Sequence, residues 1–468
     1  MNRSQPLHHL IVGDGVTALA LVAAIPLASG DRLTIVGRTA HAFGRGAAYA
    51  ADPNETPWQF AYLLNSPADD IDPDFADWAA ENFDRIRAQM EGRSPNWLGA
   101  AQDLVAKGDF AGLNYPRSTF GDYLEAQGKS ALAALKDKGV DVAVLSDEAL
   151  SVTRNGAYLD VALASGRVLS ADRVDVAPGA PTTQRIEGDD SAFSVPTLFG
   201  YEEVVAEHVR AGREIFCVGT NATMLDSLRL CQSLAAETDI SFVACSPSGR
   251  LPAALIPQLP RRSFTPQPNT GHTTAASFLS DLQEQIQAAE NDGLAIREVR
   301  AGMRAFFVEN SITDFVAAPE EALKVPAKLR HWLRAGTRDS IHDFERLSQT
   351  GQTRLLSGAV EKIESHDNGA VVHYRDAEGN AQRHETGLVI NCSGSVMTAG
   401  HDPLTQNMID RGILEVSRAG YVVGDRCETA WPNLRHLSPA TAKIGAEILP
   451  MPLFDAHLLR VWAARCYG

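Results

Sequence analysis

The apolar positions of this chain fall into short blocks separated by glycine-bearing turns. Leu7-His8-His9-Leu10-Ile11-Val12 is followed by Gly13-Asp14-Gly15-Val16-Thr17-Ala18 and an apolar segment from Leu19 onward. That order predicts a short buried strand, a tight turn and a helix. A second strand is predicted over Arg32 to Val36. The same grammar returns at Glu214 to Val218, with a turn beginning at Gly219-Thr220-Asn221, a helix from Ser227 through Leu234, and a strand over Ile240 to Cys245.

Each of these units has a matching distal part. Alternating strands around Asn155-Gly156 lead to Val176-Ala177-Pro178-Gly179, and alternating strands around Asn368-Gly369 lead to Ile390-Asn391-Cys392-Ser393-Gly394. Gly13 precedes Gly179 by 166 residues, and Gly219 precedes Gly394 by 175. Unrelated loops do not keep such spacing, so we expect an α/β protein of two dinucleotide-binding units, the second inserted in the first. A further apolar strand, Gly420 to Val423, ends in Gly424-Asp425, and an apolar helix is predicted around Thr441 to Leu449. Amphipathic helices are predicted over Ser277 to Ala289 and Glu320 to Arg346, as a cap over the inserted unit or as contacts between copies of the chain.

The first turn reads GxGxxA in the strand-turn-helix context that gives the pattern meaning. Gly13 permits the turn, Gly15 lets backbone approach a pyrophosphate, and Ala18 keeps helix and strand close. The N–H groups at the start of the helix, at Val16 and Thr17, complete an anion site that includes Asp14. At the end of the second strand Gly37-Arg38 stand where an acid normally holds ribose hydroxyls, so Arg38 faces either a phosphate or solvent. The second turn keeps Gly219 but carries Asn221 in place of the second glycine. Its next strand ends in Ser246-Pro247-Ser248-Gly249-Arg250, without an acid. A serine and an arginine there suit a 2′-phosphate, pointing to NADP rather than NAD, unless this is a plain surface loop.

Composition narrows the classes. The 468 residues carry 42 Lys+Arg against 58 Asp+Glu, a net charge of −16. With no basic run, nucleic acid is not expected as a partner. The apolar stretch after Thr17 is shorter than the ~20 residues of a membrane helix, so no membrane partner is expected. Six cysteines without a CxxC pair read as free thiols of a reducing, cytoplasmic compartment. No HxxxH occurs and no metal site is expected.

Beyond the turns, the chain contains Gly44-Arg45-Gly46-Ala47-Ala48-Tyr49, Leu63-Leu64-Asn65-Ser66-Pro67-Ala68 and Pro116-Arg117-Ser118-Thr119-Phe120-Gly121-Asp122-Tyr123-Leu124. With the first turn and the Ile390-to-Gly394 strand end, these blocks resemble a family of FAD/NAD(P)-binding flavoproteins distantly related to the ornithine and lysine N-hydroxylating monooxygenases. The resemblance implies a two-dinucleotide-binding-domain flavoprotein. Residues 1–185 and 385–468 would form a Rossmann-like FAD domain, and 186–384 an inserted NAD(P) domain with a helical segment about 271–348. It implies FAD and NADPH as cofactors and a small-molecule substrate, an amine or a thiol, between the units. The expected activity is that of an FAD-dependent oxidoreductase, an N- or S-oxygenating monooxygenase of a small polar metabolite. A flavin reductase or oxidase, or a nucleotide-binding protein without redox activity, are the alternatives.

On this reading Arg45 and Gly46 reach the pyrophosphate, with a surface arginine as the alternative. Asn65 offers its amide to flavin or substrate, or forms a local turn. Arg117 is a candidate anion or flavin contact. Gly179 and Gly394 close the two nucleotide crevices. Gly424 and Asp425 touch the ribityl or pyrophosphate part of FAD, or cap a helix. The acidic run Asp69 to Asp74 is a solvated turn or a lure for an amine.

Overall fold

A computed structural model describes residues 5–51, 54, 56–256, 258–333, 335–394, 398–450 and 456–468. Its first parallel sheet contains β1 (His8–Val12), β2 (Arg32–Gly37), β3 (Asp141–Ser146), β7 (Arg173–Val176) and β19 (Leu434–His436), in the order β3-β2-β1-β7-β19. β1 lies between β2 and β7, with Leu10 opposite Thr34 and Val174. Layers cover both faces of a parallel sheet, so its strand centres are largely apolar, and Leu10, Ile11, Leu33, Ile35 and Val174 are fully buried. A separate antiparallel meander joins β3 to β7: β4 (Ala149–Asn155), β5 (Tyr158–Leu163) and β6 (Val168–Ala171).

The second sheet repeats this order. β8 (Ser194–Val195), β9 (Ile215–Val218), β10 (Phe242–Ser246), β13 (Thr353–His366) and β16 (Leu388–Asn391) pair in parallel as β13-β10-β9-β16-β8. Cys217 of β9 faces Ala244 and Ile390. Here β13 runs on into the hairpin strands β14 (Gly369–Asp376) and β15 (Ala381–Thr386), so the meander is part of the same sheet. Because β16 belongs to the second sheet, the chain returns to the first unit after Asn391 rather than at 385.

The helical segment has its own core, built by Phe278, Leu282, Val299, Met303 and Leu329. Its helices Ala275–Asn291 and Ile296–Glu309 are continuous, but the stretch expected as one helix over Glu320 to Arg346 is broken. A short strand β12 (Ala335–Thr337) interrupts it, paired with β11 (Ala253–Leu255). The segment caps more than the inserted unit, because Ile448 of the C-terminal region completes its core.

Two expectations fail in the C-terminal region. Thr441 to Leu449 is an antiparallel pair, β20 (Thr441–Ile444) and β21 (Glu447–Ile448), rather than a helix. Gly445 turns it at φ 57, and the Asp425 carboxylate fills the space that a side chain at 445 would need. With β17 (Glu415–Ser417) and β18 (Gly420–Val423) this pair forms a four-stranded sheet. Nor are all the cysteines free, since Cys427 and Cys466 are paired as a disulfide. The remaining four are buried thiols. The helix Ala456–Tyr467 thereby lies beside the first sheet, where Tyr467 and His9 both bond the buried Asp175 carboxylate. Among the described residues, no helix is long and apolar enough to cross a membrane.

Candidate functional site

All the turns that leave the C-terminal ends of these parallel strands lie where open α/β sheets bind ligands. After β1, Gly13 takes φ +126, and a Cβ there would stand 2.2 Å from the Ala177 carbonyl oxygen after β7. Its N–H donates to Val36 O at 2.7 Å. After β9, Gly219 takes φ +105 with a phantom Cβ 2.7 Å from the Cys392 carbonyl, and its N–H donates to Cys245 O at 2.7 Å. Gly15 and Asn221 then cap their helices with almost the same backbone, φ −96 and ψ −166 against φ −92 and ψ −172. Asn221 therefore needs no left-handed conformation, and the turn keeps its shape without the second glycine.

What separates the turns is their surroundings. The Gly44-Arg45-Gly46 loop closes over the first: Gly44 N–H donates to Asp14 O, and a Cβ on Gly46 would stand 2.8 Å from Gly15 Cα. Arg45 does not reach outward for a pyrophosphate, contrary to expectation. Its guanidinium is buried against the helix Arg117–Asp137, donating to Glu125 Oε2 at 2.6 Å and to Asp122. Lys129 and then Arg45, both bonded to its carboxylate, draw Glu125 below the usual carboxylate range. Arg45 thus fixes the loop that carries Gly46, and Gly121 provides the room for it. Arg38 is exposed, 4.0 Å from Glu148, and points to solvent.

The other two motif blocks pair with each other. Leu63 bridges Pro116, Leu64 N–H donates to Tyr115 O, and Arg117 N–H donates to Tyr62 O. Between the buried Leu64 and Ser66, Asn65 is exposed. Its carboxamide oxygen accepts from Arg117 Nη2 at 3.4 Å, an arrangement other than a local turn. Arg117 also donates to Leu63 O and lies over the Phe199 ring. Its strongest contact crosses between the units, at 2.7 Å to Asp226 Oδ2 on the helix Ala222–Leu234.

Asp226 was not among the expected site residues. Burial pushes its carboxyl up to about 6, with Arg117 and Arg229 opposing. The buried hydroxyl of Tyr62 nearby has no hydrogen-bond partner among the described residues. An acid within the apolar run Met224-Leu225-Asp226-Ser227-Leu228 was the available signal, since an unpaired carboxylate there would be expensive.

The acidic run is neither a solvated turn nor open to a substrate amine. Asp69 receives both bonds of Arg297 at 2.7 Å, Asp70 lies 3.7 Å from Arg304, and the fully buried Asp72 is gripped by Arg460 at 2.6 Å. Arg297 and Arg304 come from the helix Ile296–Glu309, so these pairs fasten the helical segment to the first unit.

Gly424 and Asp425 also depart from expectation. They follow β18, which is outside the parallel sheet, and Asp425 is exposed and packs over Gly445 instead of capping a helix. The strand beside β7 is β19, and it delivers Leu437 to Ala440 to the crevice. Ser438 is fully buried there and donates to Gly179 O at 2.6 Å. Gly179 and Gly394 both take positive φ, 85 and 97, with open space above them.

In the second unit, Thr220 is buried and its hydroxyl donates to Arg250 O at 2.9 Å, tying the turn to the loop after β10. Arg250 is exposed at the mouth of a cavity of about 580 Å³, lined also by Leu251, His342, Phe344 and Leu355.

Comparison with known proteins agrees with this geometry. Residues 10–181 match the model of a family described as FAD-NAD(P)-binding. An uncharacterized protein of Mycobacterium tuberculosis (strain ATCC 25618 / H37Rv) is 27% identical over 390 residues, 75% of this chain and 73% of that protein, and one of Mycobacterium bovis matches equally. Among solved structures, the ornithine N-hydroxylase of Kutzneria sp. 744, with reduced FAD, NADP+ and L-ornithine, covers 98% of each chain at TM-score 0.53 and 12% identity. The reduced ornithine hydroxylase of Pseudomonas aeruginosa covers 99% of this chain and 98% of its own at TM-score 0.52 and 14% identity. These two likenesses concern the fold. Residues 10–181 are thus similar to an FAD-NAD(P)-binding family, and the whole chain shares the two-dinucleotide-binding-domain fold of these solved structures.

Proposed function

We propose that this chain is an FAD-dependent oxidoreductase that takes electrons from NADPH and oxygenates the nitrogen or sulfur of a small polar metabolite. The observation that carries the reading is the doubled turn. Two crevices with the same backbone open at the ends of two sheets, joined across the Arg117–Asp226 pair. The first fits FAD: Gly13 and Gly46 keep a cradle that a side chain on either would fill, and the helix N-terminus at Val16 to Ala18 presents N–H groups to an anion. The second keeps the same turn for a nicotinamide nucleotide, with the exposed Arg250 tied to that turn through Thr220 and placed for a 2′-phosphate.

Bound FAD would supply the hydride and oxygen chemistry. The chain's residues position and shield. Arg117 orients Asn65 toward the open side and is a positioning residue, while Asn65 presents its carboxamide to the reacting partners. The buried Leu63 and Leu64 that precede it keep the wall beside Asn65 dry. The ornithine hydroxylases that share the fold support an amine nitrogen as the oxygenated atom. With Asp69 and Asp70 engaged by arginines, a substrate amine would find its partner elsewhere.

The test is the visible spectrum of purified protein with FAD, followed by anaerobic NADPH and NADH. Flavin uptake, faster bleaching by NADPH, and products of amine or thiol substrates that gain one oxygen atom support the reading. Flavin reduction with all the oxygen consumed recovered as hydrogen peroxide would replace oxygenation by a reductase or oxidase activity. A protein that binds no flavin would overturn the reading.

A further inference from the structure

In the first unit, Gly37 ends β2 at the position from which an acid normally reaches a ribose. A Cβ on Gly37 would lie 2.6 Å from Cβ, Cγ and Oδ2 of Asp14, so the volume above the strand tip is already filled by the Asp14 carboxylate. Thr39 holds it there, donating to Oδ2 from its backbone N–H at 2.6 Å and from its hydroxyl at 2.9 Å. Oδ1 takes part in no hydrogen bond among the described residues and is turned toward the Gly15 and Gly46 cradle, 3.8 Å from where a Cβ on Gly46 would stand. Arg38, the other candidate for this position, is exposed beside Glu148.

We infer that Asp14 replaces the missing strand-end acid: its carboxylate, supplied from the turn instead of the strand, accepts the ribose hydroxyls of the adenosine in the first unit. The inference rests on the FAD reading above and adds a specificity to it. A carboxylate at this place repels a 2′-phosphate, so the first crevice takes a nucleotide with free ribose hydroxyls. The second crevice has no such acid and carries Arg250. One chain would thus sort FAD from NADPH by exchanging a carboxylate for a guanidinium at corresponding places.

The experiment is equilibrium binding to the apoprotein, followed by flavin fluorescence. It compares FAD with an FAD analogue whose adenosine lacks both the 2′- and 3′-hydroxyls, for wild type, Asp14→Asn, and the relocated pair Asp14→Gly with Gly37→Glu. Charge-assisted bonds to a diol set the expected scale, so Asp14→Asn should weaken FAD about 10- to 100-fold, and the analogue by roughly threefold or less. The relocated pair should recover FAD binding to within about tenfold of wild type. Asp14→Asn binding FAD as tightly as wild type overturns the inference, as does equal weakening of FAD and the analogue, which would mark a brace for Thr39 only. Wild type that takes up no FAD overturns the cofactor reading and this inference together, so the two failures are distinguishable.

Discussion

The first and second nucleotide turns cap their helices with almost the same backbone, yet one keeps a glycine at its second position, beneath the Gly46 loop, and the other carries an asparagine. Gly15 adopts φ −96, which any residue can reach, and a Cβ there would make ordinary contact with Gly46 at 3.4 Å; the close approach lies at Gly46, whose own Cβ would stand 2.8 Å from Gly15 Cα. The glycines at the head of each turn are different: Gly13 and Gly219 combine positive φ with a carbonyl below 3 Å. The head glycine of each turn therefore answers one requirement shared by both units, a positive φ joined to close approach, which the second position does not impose.

The largest expected effect tests that shared requirement. Gly13→Ala and Gly219→Ala should each destabilise the protein by about 3 kcal/mol or more, because strain and a carbonyl clash add. Urea unfolding checks this, and tolerance at one position alone would end the equivalence. Next is the contact between the units. Arg117→Ala leaves Asp226 buried without its ion-pair partner and should cost about 3 kcal/mol, while Arg117→Met with Asp226→Leu should recover most of it. A double-mutant cycle reads the difference.

At the second glycine position the turns should diverge in ligand binding. Gly15→Val should weaken FAD more than about 100-fold, with a thermal midpoint within a few degrees of wild type, whereas Asn221→Gly should change NADPH affinity by roughly threefold or less. On the proposed function, Arg250→Ala should lower NADPH affinity about tenfold and leave NADH unchanged, since the exposed guanidinium proposed for the 2′-phosphate is removed. Titration calorimetry distinguishes these cases.

The smallest effect is a pair of opposed titrations. Burial raises Asp226 from its ordinary 3.8 to about 6, so the native state binds the proton more tightly and its contribution to stability falls as pH rises through that window. His436, beneath Tyr421 and buried, is lowered to about 4, so its contribution is lost as pH falls from 6.5. The difference in unfolding free energy between wild type and Asp226→Asn should decline with rising pH between about 4 and 6, and that for His436→Gln should climb. Each slope is bounded by ~1.4 kcal/mol per pH unit.

The turns, most strands of both sheets and the repeat itself were legible because strand, glycine and helix lie within a dozen residues of one another. The residues that join the units were not. Arg45 reads as a free basic residue until Asp122 and Glu125 are placed beside it by the helix Arg117–Asp137. Asp69 reads as a solvated acid until Arg297 arrives from 228 residues away. Gly424-Asp425 imitates a strand-end motif, while the strand that borders β7 ends in Leu437-Ser438 and carries no glycine signal. Local pattern reports the backbone, and the partner of a charge is set by tertiary packing.

The position of β19 also orders events during synthesis. β7 ends at Val176, yet its outer neighbour begins at Leu434, after the entire second unit has been made. The ribosome therefore releases a complete second sheet while the first still lacks its edge, and domains fold as units once their residues have emerged. The first crevice acquires its Leu437 to Ala440 wall last. On the proposed function, the first crevice meets its cofactor with a complete wall only once the second unit has been made.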